Sequence, residues 1–450
     1  MNNIKIDPVL KDAASVFTAH NKKVYLVGGA VRDMLLKKKS SDWDLATNAT
    51  PKEVEKMFRH VIPTGIKHGT VTVLYKNTSL EVTTFRTEHN YTDGRHPDKI
   101  EYAATIEEDL SRRDFCMNAI AAELPLGNII DPFNGKDDIK NKRIKCVGNA
   151  QMRFNEDGLR PLRALRFASQ LGFELDDKLV SAIKTSLTVT AKVSLERIHD
   201  ELEKIIASPN PLAAITKMED TGMLLLILPE LAACRNVMQK GYHKYDVLDH
   251  SLLALDYAAK NNYPQSVRLA SLFHDIGKKE AAKLGDDGIW TFYNHETYSA
   301  EMCSNLMSRL KYPNNVRAEV VHLVKEHMFH YEDCWSEGAV RRFISRAGIE
   351  YLDKLFKLRM CDTFALAGIN PPITLLLPLQ KRIEAVLKKS NALSLKDLSV
   401  NGNDIMQLGN ISGKQIGIIL HYLLEAVLED PALNTKGQLL EIAKAKLSNI

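Results

Sequence analysis

Asp42 and Asp44, in the run SDWDLAT, are the first residues of the chain whose type and spacing could do chemistry. Side chains of an extended strand alternate between its faces, so carboxylates two apart project to one side. Such a pair can hold one or two Mg²⁺ ions, which orient a triphosphate and activate an attacking hydroxyl. Glu81, opening the run EVTTF, is a candidate third carboxylate on a neighbouring strand. A solvent-facing glutamate on an edge strand would carry the same local signature. Ahead of the pair, Gly28 and Gly29 follow apolar VYLV and precede AVRDMLL. That is a strand–turn–helix whose backbone amides could receive phosphate oxygens. A solvated, Gly-rich surface loop is the plainer alternative, and Lys37 to Lys39 read as a solvated turn.

Basic residues then concentrate in two places. In DLSRRDFCMNAIA, Arg112, Arg113 and Asp114 abut an apolar segment, which fits either a cleft lip holding ribose and phosphate or an ordinary helix start. In NEDGLRPLRALRFASQLGF, Arg160, Arg163 and Arg166 recur every third residue and share one broad helical face. Like charges at that spacing repel. An anionic partner is the simplest compensation, and acidic neighbours packed against the helix are the alternative. Asp157 and Arg160 also offer a rule for choosing bases. A carboxylate accepts from the exocyclic amino group of cytosine or adenine, while a guanidinium donates to the adjacent ring nitrogen. Uracil and guanine would leave both side chains mispaired.

A second group of candidates lies in the helical half. His250, the consecutive His274-Asp275, His295, His327 and Asp362 sit in otherwise apolar, helix-patterned runs. Buried charge in such runs needs a metal or a partner; histidines satisfied by hydrogen bonds in a degenerate domain are the alternative. His322 and His330 read as surface residues. Near the C-terminus, glycines 402, 409, 413 and 417 precede or open a helix starting near Lys414, which suits either an RNA phosphate or simple helix packing.

The elements that must position these residues follow from pattern. Up to about residue 150, β-branched runs (KKVYLVGG, GTVTVLYK, LEVTTFRT) alternate with helical ones such as TPKEVEKMFR, which has a Thr cap and Pro at the first helical position. Beyond that, apolar residues recur at three- and four-residue spacing and strand signals almost vanish. At 450 residues the chain exceeds a single core. A net charge of +4 permits a nucleic-acid partner without requiring one. Six scattered cysteines form no CxxC pair, so neither a disulfide frame nor a cysteine zinc site is indicated. With no apolar run long enough to span a membrane and no signal-peptide pattern, the expectation is a reduced, cytoplasmic protein.

The motifs GGAVRD…SDWD, EVTTFR, RRDFCMNAIA, DPFNGKDDIKNKRIKCVG and NEDGLRPLRALRFASQLGF, in this order, resemble the class II tRNA nucleotidyltransferases, or CCA-adding enzymes, of the polymerase-β-like superfamily. The resemblance is dense over the first 175 residues and looser beyond. It implies an α+β protein: a nucleotidyltransferase head (1–148), a helical neck with the base-selecting motif (149–215), a helical body (216–375) and a tRNA-binding tail (376–450). It implies Mg²⁺ at Asp42 and Asp44, with Glu81 kept as the candidate third carboxylate read from the residues. It also implies a nucleotide site of Gly28, Gly29, Arg32, Arg112, Arg113, Asp114, Asn118, Asp157, Arg160, Arg163 and Arg166. The implied partners are tRNA, CTP and ATP, and RTEHNYTDGRHPDKIEY resembles the loop that assists the switch from C to A. A-adding relatives and bacterial poly(A) polymerases share much of this pattern and form the alternative reading. Cys116, Met117 and Asn134 depart from the usual motif residues and read as packing or turn variations. The histidine–aspartate series resembles the HD phosphohydrolases. That implies a divalent ion at His250, His274, Asp275 and Asp362, with His295 and His327 nearby for a second metal or the phosphate. Cyclic phosphodiesterase, 2′-nucleotidase or phosphatase activity would follow.

Overall fold

The structure, a computed structural model, describes residues 3–40, 42–66, 69–89, 99–239, 244–285, 290–389, 392–409, 411 and 413–448. It divides into two compact units, residues 1–232 with 309–311, and residues 233–308 with 312–450.

The first unit begins with helix α1 (Pro8–Ala19), capped by Asp7, whose side chain accepts from the Val9 amide. Leu10, Ala13, Ala14 and Phe17 recur at helical spacing on α1 and are buried. Strand β1 (Val24–Val27) is buried at all four positions, as its unbroken apolar run requires of a central strand. Gly28 turns the chain with φ +72° into α2 (Gly29–Leu35). The strands β2 (Trp43–Thr47), β3 (Val61–Gly65), β4 (Thr70–Tyr75) and β5 (Thr78–Thr84) follow, with α3 (Pro51–Met57) between β2 and β3. Thr50 caps α3 as expected, and with Glu53 it closes a capping box. β6 (Arg86–His89) and β7 (Lys99–Tyr102) form a separate ladder. The middle of the segment expected to assist base switching, residues 90–98, lies outside the described residues. After α4 (Ile106–Ser111), β8 (Ala121–Glu123) and β9 (Ile129–Ile130) complete a seven-stranded sheet of order β3-β4-β5-β2-β1-β8-β9. Within this sheet, among the described residues, only β2 and β5 pair in parallel, and their register sets Asp44 opposite Glu81. The departures at Cys116 and Asn134 are packing and turn variations: Cys116 is buried in the core, and Asn134 takes the left-handed φ of +58° that asparagine tolerates.

Beyond α5 (Gly135–Lys140) the unit is helical, apart from a two-residue parallel pairing of Arg143–Ile144 with Glu174–Leu175. Helix α6 (Ala150–Glu156) stops at Asp157, and α7 (Arg160–Leu171) starts three residues later with Pro161 in its first turn. The break packs against α9 (Leu187–Thr190), which follows α8 (Asp177–Thr185). Thr190 Oγ1 donates to the Gly158 carbonyl at 2.8 Å. A β-carbon at residue 158 would lie 2.6 Å from the Val189 carbonyl oxygen, so only glycine allows this approach. Helix α10 (Leu195–Ile206) lies against α7.

In the second unit, helices Val247–Lys260, Gln265–Phe273, Asn314–Glu326 and Leu352–Ala367 pack around a shared interior. Further along, the buried Arg341 donates to the carbonyls of Leu428 and Glu429 at 2.6 and 2.8 Å, satisfying the otherwise orphaned end of helix Gly413–Glu429. His330 is exposed as expected. His322 is not fully exposed: it is half-buried with Nε2 2.7 Å from the Ala347 carbonyl.

Gly158→Ala is expected to lower stability by about 1–3 kcal/mol through backbone overpacking. Denaturant unfolding of the full chain measures it, and an unchanged midpoint would contradict the close approach.

Candidate active site and candidate metal centre

Asp42 immediately precedes β2 and Asp44 lies within it. Glu81 sits on β5, which β4 and β2 flank on both sides, so it is not an edge-strand residue. All three carboxylates line one cleft of about 620 Å³. Gly28, Gly29, Arg32, Arg112, Arg113, Asp114, Asn118, Asp157, Arg160, Arg163 and Arg166 line the same cleft. Every candidate of the first unit is thus brought to one place. Burial pushes the Asp44 carboxyl up to about 6, and the charges of Glu81 and Asp42 add to this while Arg113 acts against it. Three oxygen-donor carboxylates whose mutual repulsion is only partly relieved are suited to a hard divalent cation such as Mg²⁺. At the turn, a β-carbon on Gly28 would lie 3.1 Å from an Arg113 nitrogen and 3.4 Å from Asp44 Oδ2, at a φ that disfavours any side chain.

The arginines are compensated from within. Arg160 pairs with Glu156, Arg163 with Asp114 at 2.8 Å, and Arg166 with Glu201 at 2.5 Å. The repulsion expected along α7 therefore does not by itself require a bound anion; acidic neighbours supply the balance. Burial would raise the Asp114 carboxyl, but Arg163 and Arg160 outweigh it and hold it below the usual range. Asn118 links this pair to the glycine turn, accepting from Arg32 at 2.8 Å. Asp109, fully buried, takes both Arg112 (2.8 Å) and Arg113 (3.2 Å).

Sequence reasoning missed Asp109, Arg197 and Glu201. Asp109 stands three and four residues before Arg112 and Arg113, a spacing that signals an ion pair on one helical turn. Arg197 and Glu201 are likewise four apart on α10. Arg197 donates to Asp157 Oδ2 at 2.8 Å, while Asp157 Oδ1 accepts from the Leu159 amide at 3.0 Å. The carboxylate expected to read a base is therefore fixed from two sides.

In the second unit the six expected residues also converge. His250 Nε2 lies 3.1 Å from His274 Nε2, 3.2 Å from Asp362 Oδ1 and 3.4 Å from Asp275 Oδ2. Ligands of a four-coordinate ion with bonds near 2.0–2.1 Å stand about 3.3 Å apart, so these separations match the edges of a coordination shell. His295 and His327 approach the other oxygen of Asp275 at 3.2 and 3.7 Å. Lys278 and Arg359 flank the group, donating to Asp275 Oδ2 at 2.6 Å and Asp362 Oδ2 at 2.9 Å. Burial would depress His274, but Asp275 and Asp362 outweigh it and raise it to about 10. Burial, then His274, pushes His327 down to about 3. A nitrogen and oxygen donor set of this kind fits a first-row transition ion.

Residues 24–145 match the Poly A polymerase head domain family. Residues 172–235 match a family described as the probable RNA and SrmB-binding site of polymerase A, and residues 286–443 match tRNA nucleotidyltransferase domain 2. The CCA-adding enzyme of Geobacillus kaustophilus is 48% identical over 214 residues, which are 48% of this chain and 52% of that protein. The CCA-adding enzyme of Lactobacillus johnsonii is 46% identical over 216 residues, 48% of this chain and 53% of that protein. The match thus spans about half the length of these curated relatives. Among solved structures, the Bacillus stearothermophilus CCA-adding enzyme in complex with CTP aligns over 99% of this chain and 100% of its own, with a TM-score of 0.74 and 28% identity. The Thermotoga maritima CCA-adding enzyme complexed with tRNA shares the fold over 98% of this chain and 97% of its own, at a TM-score of 0.56 and 21% identity. The chain therefore has the fold of the CCA-adding enzymes, a sheet-bearing head followed by a largely helical remainder. No helix among the described residues is long and apolar enough to cross a membrane.

Because the folded-state pKa of Asp44 lies above its ordinary 3.8, ionising this group disfavours the fold. The penalty is absent at pH values below 3.8 and complete once pH rises past about 6. Asp44→Asn is therefore expected to stabilise the ion-free protein at pH 8 by at most about 2 kcal/mol, after allowance for partial solvent screening. The gain should vanish near pH 4, as denaturant unfolding at the two pH values will show.

Proposed function

We propose that this chain is a tRNA nucleotidyltransferase that adds or restores the 3′-terminal CCA from CTP and ATP without a nucleic-acid template. The observation that carries the reading is the single cleft that three carboxylates and the Asp157–Arg160 pair line together. Asp42, Asp44 and Glu81 would hold Mg²⁺, whose charge stabilises the reacting phosphate when bound. Gly28, Gly29, Arg32 and Arg113 would receive the triphosphate, and Asp114 with Asn118 would orient the ribose. The tRNA 3′ hydroxyl attacks the α-phosphorus and gives up its proton to water; the new P–O bond forms as the bond to pyrophosphate breaks. Asp157 accepts from the amino group of C or A, and Arg160 donates to the ring nitrogen. The fold likeness to enzymes solved with CTP and with tRNA supports this assignment. In this reading residues 1–148 are the head, 149–215 the neck, 216–375 the body and 376–450 a tail that holds tRNA by its shape and phosphates. Six free cysteines suit a reducing, cytoplasmic setting.

The buried histidine–aspartate cluster supports a second activity for the body. His250, His274, Asp275 and Asp362 would hold a divalent ion for hydrolysis of a phosphoester, such as a 2′,3′-cyclic phosphate or 2′-phosphate of a damaged RNA end. Water oxygen joins phosphorus as the ester P–O bond breaks and the alcohol leaves with a proton.

The test of the first reading uses tRNA transcripts ending at the discriminator base, at C or at CC, with CTP and ATP supplied singly and together. Addition of CCA followed by arrest is expected. A single A added only to the CC-ending transcript indicates an A-adding enzyme, and an unbounded A ladder a poly(A) polymerase. Asp42→Ala should abolish incorporation, whereas His274→Ala should spare it and remove phosphohydrolysis. Arg197→Ala, by releasing Asp157, should reduce discrimination against UTP and GTP roughly 10-fold, the scale of one lost base-reading contact. Competition kinetics with paired nucleotides measures that ratio, and an unaltered ratio would exclude Arg197 as a positioning residue.

A further inference from the structure

We infer that Phe167 is a positioning residue of the cleft in the first unit, its ring gathering Arg32, Arg163 and Arg166 before any nucleotide arrives. The inference rests on the reading of this cleft as a nucleotide site and adds the group that arranges its positive charge in advance.

Phe167 belongs to α7 and is almost wholly buried, yet it lines the cleft. Three guanidinium groups converge on its ring. The central carbon of Arg166 lies 4.0 Å from the ring centroid, that of Arg32 5.2 Å and that of Arg163 5.6 Å. All fall within about 6 Å, the reach over which the negative face of an aromatic ring attracts a cation. Arg163 stands four residues before Phe167, so helix geometry alone makes the two neighbours. Arg32 arrives from α2, after the glycine turn, and only the fold brings it to the same ring. Phe115 meets that ring edge to face, with centroids 5.7 Å apart and an interplanar angle of 83°. Phe115 is itself fully buried, so its packing fixes the plane that the arginines meet.

The acidic partners of these arginines are divided. Asp33 takes Arg32, whereas Asp114 and Glu201 take Arg163 and Arg166. The ring is common to all three. The crowding of charge is real: burial pulls the Arg166 guanidinium below its usual value, Glu201 opposes this, and Arg163 adds to it. An aliphatic side chain at 167 would fill the space without attracting any of the three. The consequence is pre-organisation. Long cationic side chains left free lose rotamer freedom when a triphosphate binds. Side chains already held on a ring lose less, and the smaller loss appears as affinity. Because the ring acts on the arginines and not on the base, CTP and ATP gain alike.

The test measures CTP and ATP binding to the full chain by calorimetry, with Mg²⁺ and without RNA, so that nothing turns over. Phe167 is replaced in a series by mono-, di- and trifluorinated phenylalanine. Each fluorine withdraws electron density from the ring face while barely changing its size. The logarithm of Kd is expected to rise stepwise along the series and equally for both nucleotides, reaching roughly 3- to 30-fold for the trifluorinated ring. A purely structural role would not produce that gradation. Trifluorinated phenylalanine at position 115 alters the ring that Phe167 packs against and should leave Kd unchanged. A flat series overturns the inference, as does an equal rise from the substitution at 115. Unequal shifts for CTP and ATP would put the ring on the base and overturn it too. No binding by the unsubstituted protein overturns the nucleotide reading of the cleft itself.

Discussion

Negative charge held at close range by backbone hydrogen bonds is the constraint on which the first unit depends. The parallel pairing of β2 and β5 places Asp44 directly opposite Glu81, and Asp42 follows from its position two residues earlier. The strands themselves are stabilised by apolar residues on either side of these positions, with Leu45, Leu80 and Val82 essentially inaccessible. The core thus imposes a repulsion that the carboxylates cannot relax by moving apart. Burial raises the Asp44 pKa, and this repulsion adds to the shift. Cations are the natural remedy, and the surrounding sequence is correspondingly basic.

That basic surround would be unstable without its own ordering. Guanidinium groups are long and mobile, and loss of their freedom opposes any fixed arrangement. Here acidic residues anchor them: Asp109 for Arg112 and Arg113, Asp114 for Arg163, Glu201 for Arg166, Glu156 for Arg160. Since desolvated pairs of this kind rarely add much net stability, their value lies in geometry. They fix where positive charge points in the cleft. The break between α6 and α7, which Gly158 permits, then presents Asp157 and Arg160 from a helix end rather than from a mobile loop.

The second unit applies the same physics with different donors. Histidines and aspartates that would be costly to bury singly are buried together, and main-chain carbonyls orient three of the rings. Lys278 donates to Asp275 Oδ2, the oxygen that also faces His250 and His274, and Arg359 donates to Asp362 Oδ2. A cluster so thoroughly enclosed is restricted in rotamer and position, as a ligand set must be.

Much of this was legible in the chain itself. The glycine turn after an apolar strand, the Asp42–Asp44 spacing, the arginine triplet and the His274-Asp275 pair are local patterns, and local patterns survive in sequence. Short β-branched runs and apolar residues at three- and four-residue spacing likewise pointed to the sheet-bearing head and the helical remainder. Three matters needed the fold. Whether Glu81 lies on an edge or beside Asp44 is a question of strand order, which no local pattern encodes. Whether the arginines of α7 await an external anion or meet Glu201 depends on α10, in a later stretch of the chain, packing across them. And that the two oxygens of Asp275 divide between two histidine pairs depends on the angles at which separate helices deliver their side chains. Sequence determined which chemical groups the protein owns and which faces carry them, because side-chain periodicity is set by backbone geometry. Tertiary structure decided which groups meet, because meeting is a long-range property of packing.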